Sequence, residues 1–172
     1  MQNGTSSYEA SAAAAASVDL RPAQVTGYRH RISTVLLATD LTSVSEDATT
    51  EAMELCRALS ASLLVLNVID SGQGFGLKIR PSTRLSRLDQ LRAEREQKLL
   101  RIVEQARNAG VQATFLVWTG EPGQSIVSAA QAEGADLVVV GTRALDRAGR
   151  FLLGSVSDYV VNHSTCPVLI AR

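Results

Sequence analysis

Aromatic residues are scarce in this sequence: one Trp, three Tyr and three Phe make up 4% of the chain. Platforms for single-stranded nucleic acid are built from such rings, so that class of partner is not expected. Neither sign of charge prevails, because 17 Lys and Arg balance 17 Asp and Glu for a formal net charge of zero. No global basic field exists to draw in nucleic acid or an anionic membrane. Cysteine is limited to Cys56 and Cys166, which can build no disulfide framework and form no C-x-x-C pair. Both read as free thiols in apolar surroundings. No apolar run approaches the ~18 residues that a membrane span needs. The small-residue run at 12–16 follows no basic residue and has no leucine-rich core, so no secretory signal is read there. A reducing, cytoplasmic location is the expectation.

What is present suits one soluble globular domain. The 172 residues are 45% apolar and 20% charged. Residues 1–31 hold Gly, Ser, Thr, Gln and an alanine run, with few large apolar side chains. They read as a flexible tail, or as a short alanine helix docked on a partner or on the domain. The regular pattern occupies 32–172.

There, short apolar runs alternate with helical stripes. Thr34-Val35-Leu36-Leu37-Ala38 precedes a stripe at Val44, Ala48, Ala52, Leu55 and Leu59. A second run covers 62–69, and after Gly72, Gly74 and Gly76 a long helix is expected over about 82–108. The third run covers 113–118, with a helix opening near Pro122. The fourth covers 135–140, the next helix about 154–162, and the chain ends on Pro167-Val168-Leu169-Ile170-Ala171. Continuous rather than alternating apolar runs indicate strands buried on both faces, and intervening helices imply parallel crossovers. The expected fold is α/β: a five-stranded parallel sheet with helices on both faces.

Ligands of open α/β sheets bind beyond the carboxyl ends of strands, where strand order reverses. Asp40 follows the first run. It either caps the next helix or accepts hydrogen bonds from ribose hydroxyls. The Ser43–Glu46 pair fits a capping box, which would release Asp40 for the second role. After the fourth run, Gly141 and then Gly154-Ser155 are either ordinary turns or a phosphate cradle at a helix N-terminus. Gly149 and Gly154-Ser155 have the skeleton of a P-loop without its lysine, and Gly72-x-Gly74-x-Gly76 is not G-x-G-x-x-G. The latter reads as a mobile loop. Nine basic and four acidic residues between Lys78 and Arg107 read as a solvated helix face, with a local nucleic-acid or partner surface as the alternative. His30 and His163 suggest no metal site, and no G-x-S-x-G or H-E-x-x-H occurs. No catalytic residue is assigned.

Several segments together carry a resemblance. Thr39-Asp40, Asn67-Val68-Ile69-Asp70, Val138-Val139-Val140-Gly141, Gly154-Ser155-Val156-Ser157 and Cys166-Pro167-Val168-Leu169-Ile170 resemble the universal stress protein family, in order, across 31–172. The signature of its ATP-binding branch is G-x-x-G, nine residues, then G-[ST]. Here Gly141-Thr142-Arg143-Ala144 is followed by nine residues and Gly154-Ser155. One position departs, since Ala144 stands where the motif has its second glycine. If that position needs φ > 0, alanine costs roughly 1 kcal/mol or shifts the loop.

The resemblance implies an adenine nucleotide alpha-hydrolase-like fold and ATP, alone or with Mg, as ligand. It implies that Asp40 meets ribose, that the backbone of Val68 meets the adenine edge, and that Ala38 and Thr39 line the adenine pocket. Val140, Gly141, Ala144, Gly154, Ser155 and Val156 would complete the site, with phosphates held by backbone N–H groups and the Ser155 hydroxyl. Arg143, inside the same loop, either pairs with phosphate or is a solvated surface arginine. A homodimer through the final strand is also implied, and the Pro167 start is tolerated at a sheet edge. The expected function is a nucleotide-binding stress-response regulator with little or no hydrolysis. Two alternatives stand beside it: an interaction module of the same fold without nucleotide, and a slow ATPase.

Overall fold

Five apolar runs form five strands of one sheet, because each can bury both of its faces only between helices. A computed structural model describes residues 31–70, 81–142 and 154–171. In chain order the elements are β1 (Thr34–Ala38), a single 3-10 turn (Ser43–Ser45), α1 (Glu46–Leu59) and β2 (Ser62–Asp70). These are followed by α2 (Pro81–Asn108), β3 (Ala113–Gly120), α3 (Pro122–Ala132), β4 (Leu137–Gly141), α4 (Ser155–His163) and β5 (Val168–Ala171). All four pairings are parallel, in the order β3-β2-β1-β4-β5. The expected five-stranded α/β architecture is the one observed. The tail, the Gly72–Gly76 loop, Arg143 and Ala144 lie outside the described residues.

Alternate side chains of each strand feed two cores. Val35, Leu37, Leu63, Val65 and Val139 join Ala52, Cys56, Leu99 and Val103 under α1 and α2. Leu36, Leu66, Val138 and Val140 join Ile126, Ala129 and Val160 under α3 and α4. Cys56 is a packing group: burial pushes its thiol up to about 11, so it stays neutral at physiological pH. Among the described residues no helix is long and apolar enough to cross a membrane.

Local details depart from the sequence pattern in instructive ways. The capping box expected at Ser43–Glu46 does not form, because the chain first makes a 3-10 turn and α1 starts at Glu46 with Ser45 as an N-cap whose side chain bonds none of the first-turn N–H groups. β4 begins two residues later than its apolar run. Asp136 spends its carboxylate on the Ser33 and Thr34 N–H groups and the Ser33 hydroxyl, which ties the entry of β1 instead of extending β4. At α3 the cap is Glu121, whose carboxylate accepts from Gly123 N at 3.1 Å and Gln124 N at 2.6 Å.

Gly123 is required by close approach. A Cβ there would lie 2.9 Å from Tyr159 Cβ, Cγ and Cδ1 on α4. Gly123→Ala should therefore destabilise the fold by about 1–3 kcal/mol through overpacking. Urea unfolding checks this, and an unchanged midpoint would mean that α3 and α4 can separate there at no cost.

Candidate functional site

Strand order reverses between β1 and β4: from β1 the chain proceeds to β2 and β3 on one side, and β4 and β5 lie on the other. The carboxyl ends of these two neighbours are where an open α/β sheet accepts a ligand. Ala38 pairs in register with Val140, so the Thr39–Asp40 exit and the Gly141 exit stand side by side. Sequence-predicted site residues at 38–40 and 140–141 thus lie side by side, and Val68 lies near the end of the neighbouring strand β2.

Their side chains divide between the two faces. Ala38, Val68, Val140 and Val156 all belong to the apolar cluster under α3 and α4. Thr39 and Gly141 alternate to the α1 side. Among the described residues, a Cβ on Gly141 would meet Ala48 Cβ at 3.7 Å and Ser45 Cα at 4.0 Å, ordinary contacts. No packing contact around Gly141 among the described residues demands glycine. Gly154 is the N-cap of α4 and carries no side chain to satisfy the first-turn N–H groups. Ser155 is exposed at that terminus, while Ser157 turns back to bond the Gly154 carbonyl at 2.9 Å.

Asp40 is not a helix cap. Its Oδ1 accepts from Thr42 N at 3.1 Å and from the Thr42 hydroxyl at 2.7 Å, closing an Asx turn on the exposed rim. Thr39 anchors the same turn from below. Its Oγ1 accepts from Leu41 N at 3.0 Å and lies 2.9 Å from Ser45 Oγ. The Ser45 proton is directed at the Thr42 carbonyl, so Thr39 is the donor in that pair. Leu41, between the two anchored residues, is held at φ 62°.

Sequence reasoning missed three contributors. Asn67 on β2 is fully buried, its Nδ2 donates to the Thr39 carbonyl at 2.8 Å, and its Oδ1 has no partner. Arg95 Nη1 on α2 donates to the Asp40 carbonyl at 3.1 Å, and Arg92 Nη2 donates to the Val117 carbonyl at 2.9 Å. Asn67 was visible as the polar residue inside an apolar run. The arginines carried no local signal. Next to this edge, a groove of about 740 Å³ runs between α1 and α2 from Thr39 and Thr42 to Lys98 and Arg101. A second concavity of about 700 Å³ lies at the opposite end of the sheet, around Thr34, Ser62 and Gln112.

Residues 31–172 match the profile of the Universal stress protein family. The chain belongs to that family. Among curated family members it is 33% identical over 147 residues to Universal stress protein YxiE of Bacillus subtilis, a match covering 80% of this chain and 97% of that protein. The fold is that of universal stress protein UspA from Lactobacillus plantarum, with a TM-score of 0.72 at 23% identity over 83% of this chain and 99% of that one. A universal stress protein crystallised in complex with cAMP is 27% identical, with a TM-score of 0.62 over 83% of this chain and 98% of that one. A family member from Archaeoglobus fulgidus, in complex with dAMP, shares the fold at 19% identity and a TM-score of 0.59, over 83% of this chain and 99% of that one.

Proposed function

We propose that this chain binds an adenine nucleotide, ATP, at the carboxyl edge between β1 and β4 and acts as a cytoplasmic stress-response regulator. The observation that carries the reading is the reversal of strand order there, which sets the Asp40 turn beside Gly141. In this reading adenine lies on Ala38, Val68 and Val140, the Asp40 carboxylate accepts from ribose hydroxyls, and phosphates meet the backbone of Gly141, Gly154, Ser155 and Val156. A glycine-capped helix start suits an anion, since its free N–H groups and dipole both favour negative charge. The cAMP bound by a relative 27% identical to this chain supports the adenine class of ligand. ATP then works as a ligand that shifts conformational populations, not chiefly as a substrate. Mass spectrometry of a gently purified, denatured sample tests it directly. Co-purified ATP, ADP or AMP supports the reading, and failure to find or titrate any adenine nucleotide overturns it.

A second reading rests on Ala144, which stands at the second glycine position of the family signature. If the extra Cβ closes the loop to phosphate, the chain is a protein-interaction module without nucleotide. Ala144→Gly should tighten ATP binding where backbone strain is the defect, by about tenfold if roughly 1.4 kcal/mol is recovered. Calorimetric titration giving unchanged or weaker affinity would remove strain as the account.

Assembly belongs to the same proposal. Among the described residues β5 pairs with β4 alone and stands at one edge of the sheet. A free ladder edge on a short apolar strand is completed by a second copy across a two-fold axis. We expect a homodimer centred on Val168, Leu169 and Ile170. Light scattering at micromolar concentration checks it, and a monomer would refute it. Leu169→Asp should yield monomer or aggregate, with a thermal melt run alongside because Leu169 also packs on the α1–α2 core.

A further inference from the structure

The Asp40–Leu41 peptide unit is pinned at both ends by groups from different parts of the fold. Its carbonyl accepts from Arg95 Nη1 on α2 at 3.1 Å, and its N–H donates to Thr39 Oγ1 at 3.0 Å. That orientation of the peptide goes with Leu41 at φ 62°, a conformation a leucine avoids. Such a residue persists only where the surroundings over-determine it. Rotating this one peptide would relieve Leu41, and it would also break both bonds and loosen the Asx turn between Asp40 and Thr42.

Of the two pins, Thr39 is local and buried in the turn's own network. Arg95 comes from 55 residues further along the chain, and it is half-buried on a helix that is otherwise anchored nearby. One turn earlier, Arg92 ties the same helix to the Val117 carbonyl on β3, and Val117 is the register partner of Asn67. Asn67 in turn holds the Thr39 carbonyl. Three side-chain donors, Arg92, Asn67 and Arg95, thus hold the carbonyls of Val117 inside β3 and of Thr39 and Asp40 just past β1. Of these donors, Arg95 is the one by which α2 reaches the Asp40 turn.

We propose that Arg95 is a positioning residue, a latch that holds the Asp40–Leu41 peptide so that the Asp40 carboxylate is preset for ribose. It acts through Asp40 and not by touching the nucleotide, and it deepens the nucleotide-binding reading on which its functional consequence rests. With the latch removed, the folded protein must select the competent turn from several, and apparent affinity falls by the fraction of molecules still holding it.

The test uses the full chain with Arg95→Met, which keeps an apolar stem and removes the donor. Two readouts separate the latch from the nucleotide. Amide exchange of Leu41 and Thr42 in nucleotide-free protein should quicken by about tenfold or more, while core strands keep their protection. Calorimetry should show ATP affinity reduced about fivefold, with no further reduction when Arg95→Met is added to Asp40→Ala. In a Leu41→Gly background, where a left-handed backbone is unstrained, Arg95→Met should barely alter Thr42 exchange. Unchanged exchange at Leu41 and Thr42 overturns the latch, whatever ATP does. Weaker ATP binding with unchanged exchange would make Arg95 a direct ligand and would equally overturn it. If the unmodified protein binds no ATP, the nucleotide reading and the ribose role of the latch both fall, and the exchange result still decides whether Arg95 holds the turn.

Discussion

Asp40→Ala is expected to raise the ATP dissociation constant by more than about tenfold while leaving the fold standing. Hydrogen bonds to a charged acceptor contribute roughly 1.5–3 kcal/mol, and about 1.4 kcal/mol is a factor of ten. The stability cost is smaller because Asp40 is exposed and caps no helix. What folding gives up includes the two Asx-turn bonds onto Thr42, which water at this exposed rim screens down to about 0.5–1.5 kcal/mol. Asp40→Asn separates the two roles, since asparagine keeps an Asx turn and gives up the negative charge. It should melt like the unmodified protein and still bind ATP more weakly. Calorimetry and thermal melts of both variants decide the matter. Unchanged affinity in both, with lowered stability in the alanine variant alone, would make Asp40 a turn residue and nothing more.

The strands were legible because a strand buried on both faces must be apolar throughout. β1 ends where its run ends, and β2 and β3 reach two residues or fewer past theirs, where the ladder continues as Ile69 with Thr119 and Asp70 with Gly120. Helix starts were less legible. The stripe from Val44 fits a helix, yet buried hydroxyls at Thr39 and Ser45 satisfy the turn first and delay α1 to Glu46. In the candidate site, the residues contributed by strand ends could be read from motif spacing, since topology alone brings Asp40 beside Gly141. The role of Arg95 could not be read. Its carbonyl partner lies 55 residues away, and a solvated arginine on a helix face has the same local sequence as a latch.

Asn67 offers the largest expected effect on stability. It is 2% exposed, and its Nδ2 donates to the Thr39 carbonyl at 2.8 Å while Oδ1 meets no partner. Asn67→Asp keeps the shape and replaces the donor by a second negative acceptor facing that carbonyl. An uncompensated buried charge costs about 3–5 kcal/mol, so a loss near 3 kcal/mol is expected at neutral pH. The sign of the pH dependence follows from the protonated form, which regains an O–H donor for Thr39. The folded state then holds the proton more tightly than the unfolded chain, whose carboxyl titrates near pH 3.9. The deficit is therefore small below about pH 4 and grows as pH rises, until the folded carboxyl itself ionises. Urea unfolding at pH 7 and pH 4, against the unmodified protein, measures it. Asn67→Leu removes the orphaned oxygen along with the donor and should lose less, with no pH dependence of its own. Equal stability of Asn67→Asp and the unmodified protein at pH 7 would show that the surroundings compensate a carboxylate there, and equal stability of Asn67→Leu would show that the Thr39 carbonyl has another donor. The Asp40 turn would then not depend on β2, and ATP affinity in Asn67→Leu should be unchanged as well.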